Sequence, residues 1–351
     1  MTSDLESAPV LPEAFDFSFA VRSPFRMQPG LRRLSPTAAV LTPLRAGSRA
    51  QREKLAVLSA FPGEALLTTQ GFDPMPALDA LMRHATSTSP DALTWDGHRV
   101  EALHLGVAVD DQGRIHPTRS GDFGLGKELP TCLEGLAPEW RLAGLLSLIF
   151  AEDLAIVDGS SGSLNWMAVC LPSFWSPAEK IGRRFAEVHA PVADNGLLLT
   201  AAESLMRLVS GPDRWERFVW NVTPHPRLHG HPSRLDPRGW DLTPVASAWW
   251  RTERQAFLPV AGSIGAQAVF TIRVEVTPLV QALRTAEQAQ ALRDALASQS
   301  AAVQAYRHLD GVALPLMDWL EEQAARLPRE SDGPPSSGSE AHELARRQQP
   351  S

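Results

Sequence analysis

Three runs rich in β-branched and aromatic residues, Arg217–Thr223, Thr252–Leu258 and Gln267–Thr277, predict strands with one face buried. Leu164–Leu171 is almost continuously apolar and follows the breaker Gly159-Ser-Ser-Gly-Ser163, which predicts a buried strand. Ala102–Val109 is read as a further strand, with Asp110-Asp-Gln-Gly113 as the hairpin turn after it. Helical signals lie between these runs. Ser48 caps a helix to about Phe61, and Asp73-Pro74 opens another to about His84. Glu139–Ile156 reads as one apolar helical stretch. Ser176-Pro-Ala-Glu179 matches a capping box, predicting a helix to about Glu187 that Pro191 stops, with His189 at its C-terminal end. Thr200-Ala-Ala-Glu203 is a second box, opening a helix to Val209. A long helical stretch, Pro278–His308, and a shorter one, Leu314–Leu327, complete the pattern. The strands do not alternate regularly with helices. That favours an α+β fold, an antiparallel sheet with packed helices, over a doubly wound parallel sheet.

The ends of the chain lack this patterning. Residues 1–24 are read as an N-terminal arm, 25–327 as one domain, and 328–351, rich in Pro, Ser, Gly and charge, as a disordered tail. The 351 residues suffice for a well-buried core, and a hydrophobic content of 44% with 21% charged residues is ordinary for a globular protein. Basic residues number 33 and acidic residues 40, a net charge of −7, which argues against a nucleic-acid partner. No run reaches membrane-spanning length and no signal peptide opens the chain, so a cytoplasmic protein without a membrane partner is expected. The two cysteines, Cys132 and Cys170, lie too far apart in sequence for a CxxC metal or redox motif.

Few local motifs carry chemistry. Gly121-Asp-Phe-Gly-Leu-Gly126-Lys127 has the glycine and lysine spacing of a phosphate-binding loop. Glu128 stands where a hydroxyl is needed and would put a carboxylate where phosphate belongs, so the match is read as coincidence. His225, His229 and His231 cluster in a proline-broken loop that is read as solvated. Glu152 and Asp153 are read as a charge pair at a helix end. For His189, the helix dipole alone would favour the protonated form, whereas a metal ligand must be neutral.

Several segments together resemble one family, the α subunit of haem-dependent oxidative N-demethylases. They are Phe25–Leu31 (FRMQPGL), Ala151–Leu154 (AEDL), Pro172–Val192 (PSFWSPAEKIGRRFAEVHAPV), Trp250–Gln255 (WRTERQ) and Val269–Arg273 (VFTIR). The resemblance implies a PAS-like antiparallel sheet flanked by helices, with a helical C-terminal extension, holding haem b as the site of catalysis. Dioxygen and an N-methylated amine such as dimethylamine would then yield a demethylated amine and formaldehyde. A partner reductase with FMN and a 2Fe–2S centre would deliver electrons from NADPH, and a tetrahydrofolate-binding partner could take up the formaldehyde. The chain itself has neither a dinucleotide fingerprint nor a cysteine cluster.

On this resemblance His189 is the expected axial iron ligand. Arg251 and Arg254 are candidates for the haem propionates, with an ion pair to Glu253 as their alternative. Lys180 and Arg273 are further candidates for anionic groups, and Glu253 or Glu152 for orienting a substrate ammonium or relaying protons. The chain departs from the family's pattern at Val219, where asparagine is expected, and has a single tyrosine, Tyr306. A retained cofactor scaffold with an altered amine pocket would account for both. The competing expectation is a haem-binding sensor or scaffold paralogue without turnover.

Overall fold

The computed structural model describes residues 15–262 and 266–330. Among them, eleven strands build two sheets: β1 Arg32–Arg33, β2 Leu66–Thr68, β3 Leu93–Trp95, β4 Arg99–Ala102, β5 Val107–Asp110, β6 Ile115–Pro117, β7 Asp153–Asp158, β8 Leu164–Ala168, β9 Trp215–Thr223, β10 Trp249–Val260 and β11 Gln267–Pro278. The larger sheet has the order β1-β9-β10-β11-β7-β8-β2 and the smaller one β3-β4-β5-β6. All the strand pairings in both are antiparallel. The expected α+β class with an antiparallel sheet and C-terminal helices is therefore borne out.

The long strands β10 and β11 pair residue for residue from Trp249 with Pro278 to Val260 with Gln267. Because side chains alternate across a strand, Arg251, Glu253, Gln255 and Phe257 share one face of β10. Thr252, Arg254, Ala256 and Leu258 point to the other. The main core lies around helices Arg49–Ala60, Met75–Thr88 and Pro138–Ile149. The last of these is buried at every position from Leu142 to Ile149, so no face of that stretch meets solvent. A second core packs Trp220 and Trp250, stacked at 5.2 Å, against helices Ala286–Ala297 and Ala313–Arg326.

Several elements differ from expectation for identifiable reasons. The apolar stretch Glu139–Ile156 is not one helix: it ends at Ile149, and β7 begins at Asp153. A buried helix and a buried strand present the same unbroken apolar run, so periodicity does not divide them. Ala102–Val109 is likewise two strands, β4 and β5, separated by a turn. There Gly106 adopts φ 66°, and a Cβ would lie 2.4 Å from the Arg119 carbonyl. The Ser176 box yields only the 3-10 turn Pro177–Glu179. Gly182, at φ 73°, then gives its N–H to Leu164 O, and Phe185 N–H goes to Gly162 O, bonds that compete with a continuing helix. A new helix, Phe185–His189, still leaves His189 at a helix C-terminus. The helix expected from Thr200 begins earlier, at Gly196. Pro278–His308 is three helices, Leu279–Ala282, Ala286–Ala297 and Ala301–Tyr306, the last two capped by Thr285 and Ser300.

At the chain ends, Phe17–Ala20 forms a helical turn capped by Asp16, and Phe15 and Phe17 pack against Trp250. Of the tail expected from residue 328, residues 331–351 lie outside the described residues. No helix among the described residues is long and apolar enough to cross a membrane.

Candidate functional site

A cavity of about 900 Å³ lies against the face of β10 that carries Arg251, Glu253, Gln255 and Phe257. Its other walls are the 19–31 segment, the loop at Ser173–Trp175, the helix Phe185–His189, helix Gly196–Val209, β9, and residues 305–308. The size falls within the range of small-molecule and cofactor pockets, roughly 300–1,000 Å³. Leu164, Trp175, Phe185, Leu198, Phe257 and Phe270 give it a largely apolar lining.

His189 opens into this cavity from a short helix anchored by the Glu187 carboxylate, which accepts the Arg184 N–H at 2.8 Å. The ring stacks on Phe185 at 4.0 Å, and Nδ1 lies 2.9 Å from the Phe185 carbonyl. A carbonyl only accepts, so Nδ1 carries the proton and Nε2 keeps a free lone pair, for which the described residues supply no partner. Burial lowers the imidazole pKa to about 4, assisted by the Arg217 and Lys180 cations and opposed by the Phe185 bond. A neutral ring is what the expected ligand role requires, although the helix end by itself would favour a protonated one. With burial as the largest cause lowering its pKa, His189 is neutral near pH 7.

Arg217 lies on β9 directly opposite Gln255. It sits deep in the fold, yet its side chain keeps exposed surface because it faces the cavity instead of bulk water. Among the described residues it makes no hydrogen bond or ion pair, and its Nε is buried without a partner. Burial lowers its pKa, while Glu253 opposes that effect. Arg307 is a second deep cation at the cavity wall. It stacks on Trp220 at 4.0 Å and Phe25 at 5.0 Å and donates to the Trp220 carbonyl, leaving Nη1 unpaired. Burial lowers its pKa to about 9.

The residues singled out in the sequence divide sharply. His189, Lys180, Arg251 and Glu253 line the cavity. Lys180 Nζ donates to the Val188 carbonyl at 3.2 Å, and burial lowers its pKa. Arg251 spends its donors on the scaffold: the carbonyls of Leu171, Pro172, Arg227 and Leu228, and Ser173 Oγ, all within 3.3 Å. It thereby ties the loop before Phe174 to the 227–230 loop, and does not pair with Glu253. Arg254 and Arg273 are on the opposite face. Arg254 pairs with Glu216 at 2.7 Å, and Arg273 binds Thr42 and Glu275. Glu152 is also remote from the cavity. It is 2% exposed, accepts the Thr42 N–H at 2.8 Å, and has its pKa raised by burial.

The motifs read as incidental in the sequence fare unevenly. Glu152-Asp153 is no helix-end charge pair, because the helix has already ended at Ile149 and both side chains are buried at the start of β7. Asp153 pairs with the fully buried Lys54 at 3.2 Å. The histidine loop is packed, not solvated. His229 and His231 are 8% and 9% exposed, and His229 Nδ1 bonds the Cys170 carbonyl at 2.7 Å. In the glycine loop, Glu128 accepts the Leu125 and Lys127 N–H groups at 2.8 and 3.0 Å, the place a phosphate would take. Among the described residues, no group of three or more His, Cys, Asp or Glu is placed to hold a metal ion.

Arg217, Gln255 and Arg307 are among the cavity residues to which sequence reading assigns no role. A period-two relation to Glu253 marks Gln255, but Arg217 joins it only once the β9–β10 register is known. No curated protein matches the chain. The family described as haem-dependent oxidative N-demethylase, alpha subunit-like, matches residues 127–316, more than half of the 351 residues, and the chain belongs to that family.

Proposed function

We propose that this chain is the haem-carrying catalytic subunit of an oxidative N-demethylase, with His189 as the axial iron ligand. The observation that carries the reading is a neutral imidazole, Nε2 without a partner among the described residues, lining a large, mostly apolar cavity together with Arg217, whose Nε has no partner, and Arg307, whose Nη1 has none. Haem b needs an axial nitrogen, apolar walls for the porphyrin and cations for its propionates, and these residues fit all three needs. Arg217 and Lys180 are the cations best suited to the propionates, because Arg251 is consumed by backbone carbonyls. Arg307 has one N–H to spare. An antiparallel sheet enclosing a cavity with helices supports the PAS-like scaffold that the resemblance implies.

When bound, the haem would supply the dioxygen activation by which an N-methyl carbon is oxidised to formaldehyde. The chain's own residues do the rest. Glu253, 7% exposed on the cavity face, offers a carboxylate for an alkylammonium and a place for its proton. Trp175, Phe257 and Phe270 add apolar surface to the same cavity. The α-subunit description fits a multisubunit enzyme in which a partner reductase, bearing FMN and a 2Fe–2S centre, draws on NADPH. A tetrahydrofolate-binding partner would receive the formaldehyde.

Formaldehyde release from dimethylamine, measured with hemin-loaded chain, dioxygen and a surrogate reductase, tests this reading. Turnover that falls at least about tenfold in kcat/KM in Glu253→Gln, with the Soret band unchanged, is expected. No formaldehyde from any secondary or tertiary methylamine, with the haem demonstrably reduced, would favour the non-catalytic sensor.

A further inference from the structure

We propose that Gln255 is a positioning residue that holds the Glu253 carboxylate away from Arg217, keeping it free for an alkylammonium ligand. This rests on the reading of Glu253 as the amine-binding group. In the β9–β10 register Gln255 stands opposite Arg217, and Glu253 stands opposite Val219. Arg217 and Glu253 are thus diagonal neighbours on one face, within reach of two long side chains. Opposite charges in a desolvated cavity attract strongly, so an ion pair is the default outcome.

The other face of the same two strands shows that default. Ala256 stands opposite Glu216 and Arg254 opposite Phe218, so Arg254 and Glu216 have the same diagonal offset. They pair at 2.7 Å, where the residue opposite Glu216 is Ala256, which has no polar group to hold the carboxylate, and Glu216 also pairs with Arg32 at 2.6 Å. On the cavity face the intervening side chain is Gln255, whose Nε2 donates to Glu253 Oε2 at 2.6 Å. Glu253 makes that hydrogen bond and no ion pair among the described residues. An uncharged donor suits this role because it holds the carboxylate without neutralising it. A cation at 255 would itself occupy Glu253, and an apolar side chain would let it go. Arg217 remains available to an anionic group and Glu253 to a cationic one.

Gln255→Met removes the donor at nearly constant volume. In a crystal structure of the hemin-free variant, where no propionate engages Arg217, Glu253 is expected to swing into an ion pair with Arg217. Calorimetry of the hemin-free chain with dimethylammonium chloride should show affinity lowered roughly tenfold or more, with the melting temperature of the wild type. The hemin-free double variant Gln255→Met/Arg217→Met should regain most of that affinity, because no guanidinium is left to capture the carboxylate. Loss of packing alone would produce no such recovery. A Glu253 carboxylate unmoved in Gln255→Met, or a double variant as weak as the single, overturns the proposal. Wild-type protein that binds no dimethylammonium overturns the amine-site reading of Glu253, and the crystal structure still decides where Gln255 holds the carboxylate.

Discussion

Lys54 offers the sharpest test of what holds the cavity wall in place. It is fully buried on helix Arg49–Ala60. Its ammonium lies 3.2 Å from Asp153 Oδ1 and donates to the carbonyls of Phe150 at 3.1 Å and Glu152 at 2.7 Å. Asp153 Oδ2 in turn accepts the Leu171 N–H at 2.6 Å, just ahead of the Pro172–Trp175 wall. Lys54→Met leaves a carboxylate 1% exposed without its cation and strips two carbonyls of their donor. Removing one partner of a buried pair costs about 3–5 kcal/mol. At roughly 2–4 °C per kcal/mol for a large domain, thermal unfolding of the hemin-free chain, followed by circular dichroism, should shift down by about 10 °C. Lys54→Met/Asp153→Asn removes the orphaned charge while keeping an acceptor for Leu171, and should recover at least half of that loss. A single variant less than about 1 kcal/mol weaker than wild type, or a double variant no better than the single, would refute the reasoning.

Two further outcomes are expected. Burial holds His84 to a pKa of about 4 against an ordinary 6.5, with Nε2 accepting the Val40 N–H. The unfolded chain therefore takes up a proton that the folded chain refuses. The His84 share of stability is full above pH 6.5 and falls by up to about 3 kcal/mol as pH drops toward 4, in the same window as the share of His189. In urea titrations across that window His84→Gln should flatten the fall, and an unchanged slope would exclude His84 as its source. Arg251→Lys keeps the charge but loses the planar fork that meets four carbonyls and Ser173 Oγ. It should cost about 2–4 kcal/mol in thermal unfolding, from orphaned acceptors, and weaken hemin binding by loosening the loop before Phe174; wild-type stability would show the fork to be dispensable.

The three long strands are legible in the sequence because β-branched and aromatic residues recur along them, with burial alternating over the second half of β11, from Ile272 to Thr277. The helix at Ser48 is legible because its cap is local, Ser48 Oγ accepting from Gln51 N–H. Elements whose limits depend on distant partners are not. The Ser176-Pro-Ala-Glu179 signal is outcompeted by backbone bonds from residues 182–185 to the hairpin at 162–164. Phe174 occupies φ 66°, a conformation rare for a bulky residue, while its N–H bonds the Gly230 carbonyl far along the chain. The site follows the same division. His189 and Glu253 stand out by type and by family resemblance, whereas Arg254 resembles Arg251 in sequence and differs only in which face of β10 it takes. Nothing local tells which arginine meets backbone, which meets Glu216, and which stays unpaired in a cavity.

Hemin titration of the purified chain, wild type against His189→Ala, tests the central claim most directly. A free imidazole nitrogen in the cavity should give the wild type a Soret band of a histidine-ligated haem at one equivalent. Loss or displacement of that band is expected in His189→Ala, with the fold intact by circular dichroism. An identical spectrum and affinity in the two proteins would contradict the assignment of His189 as the iron's ligand.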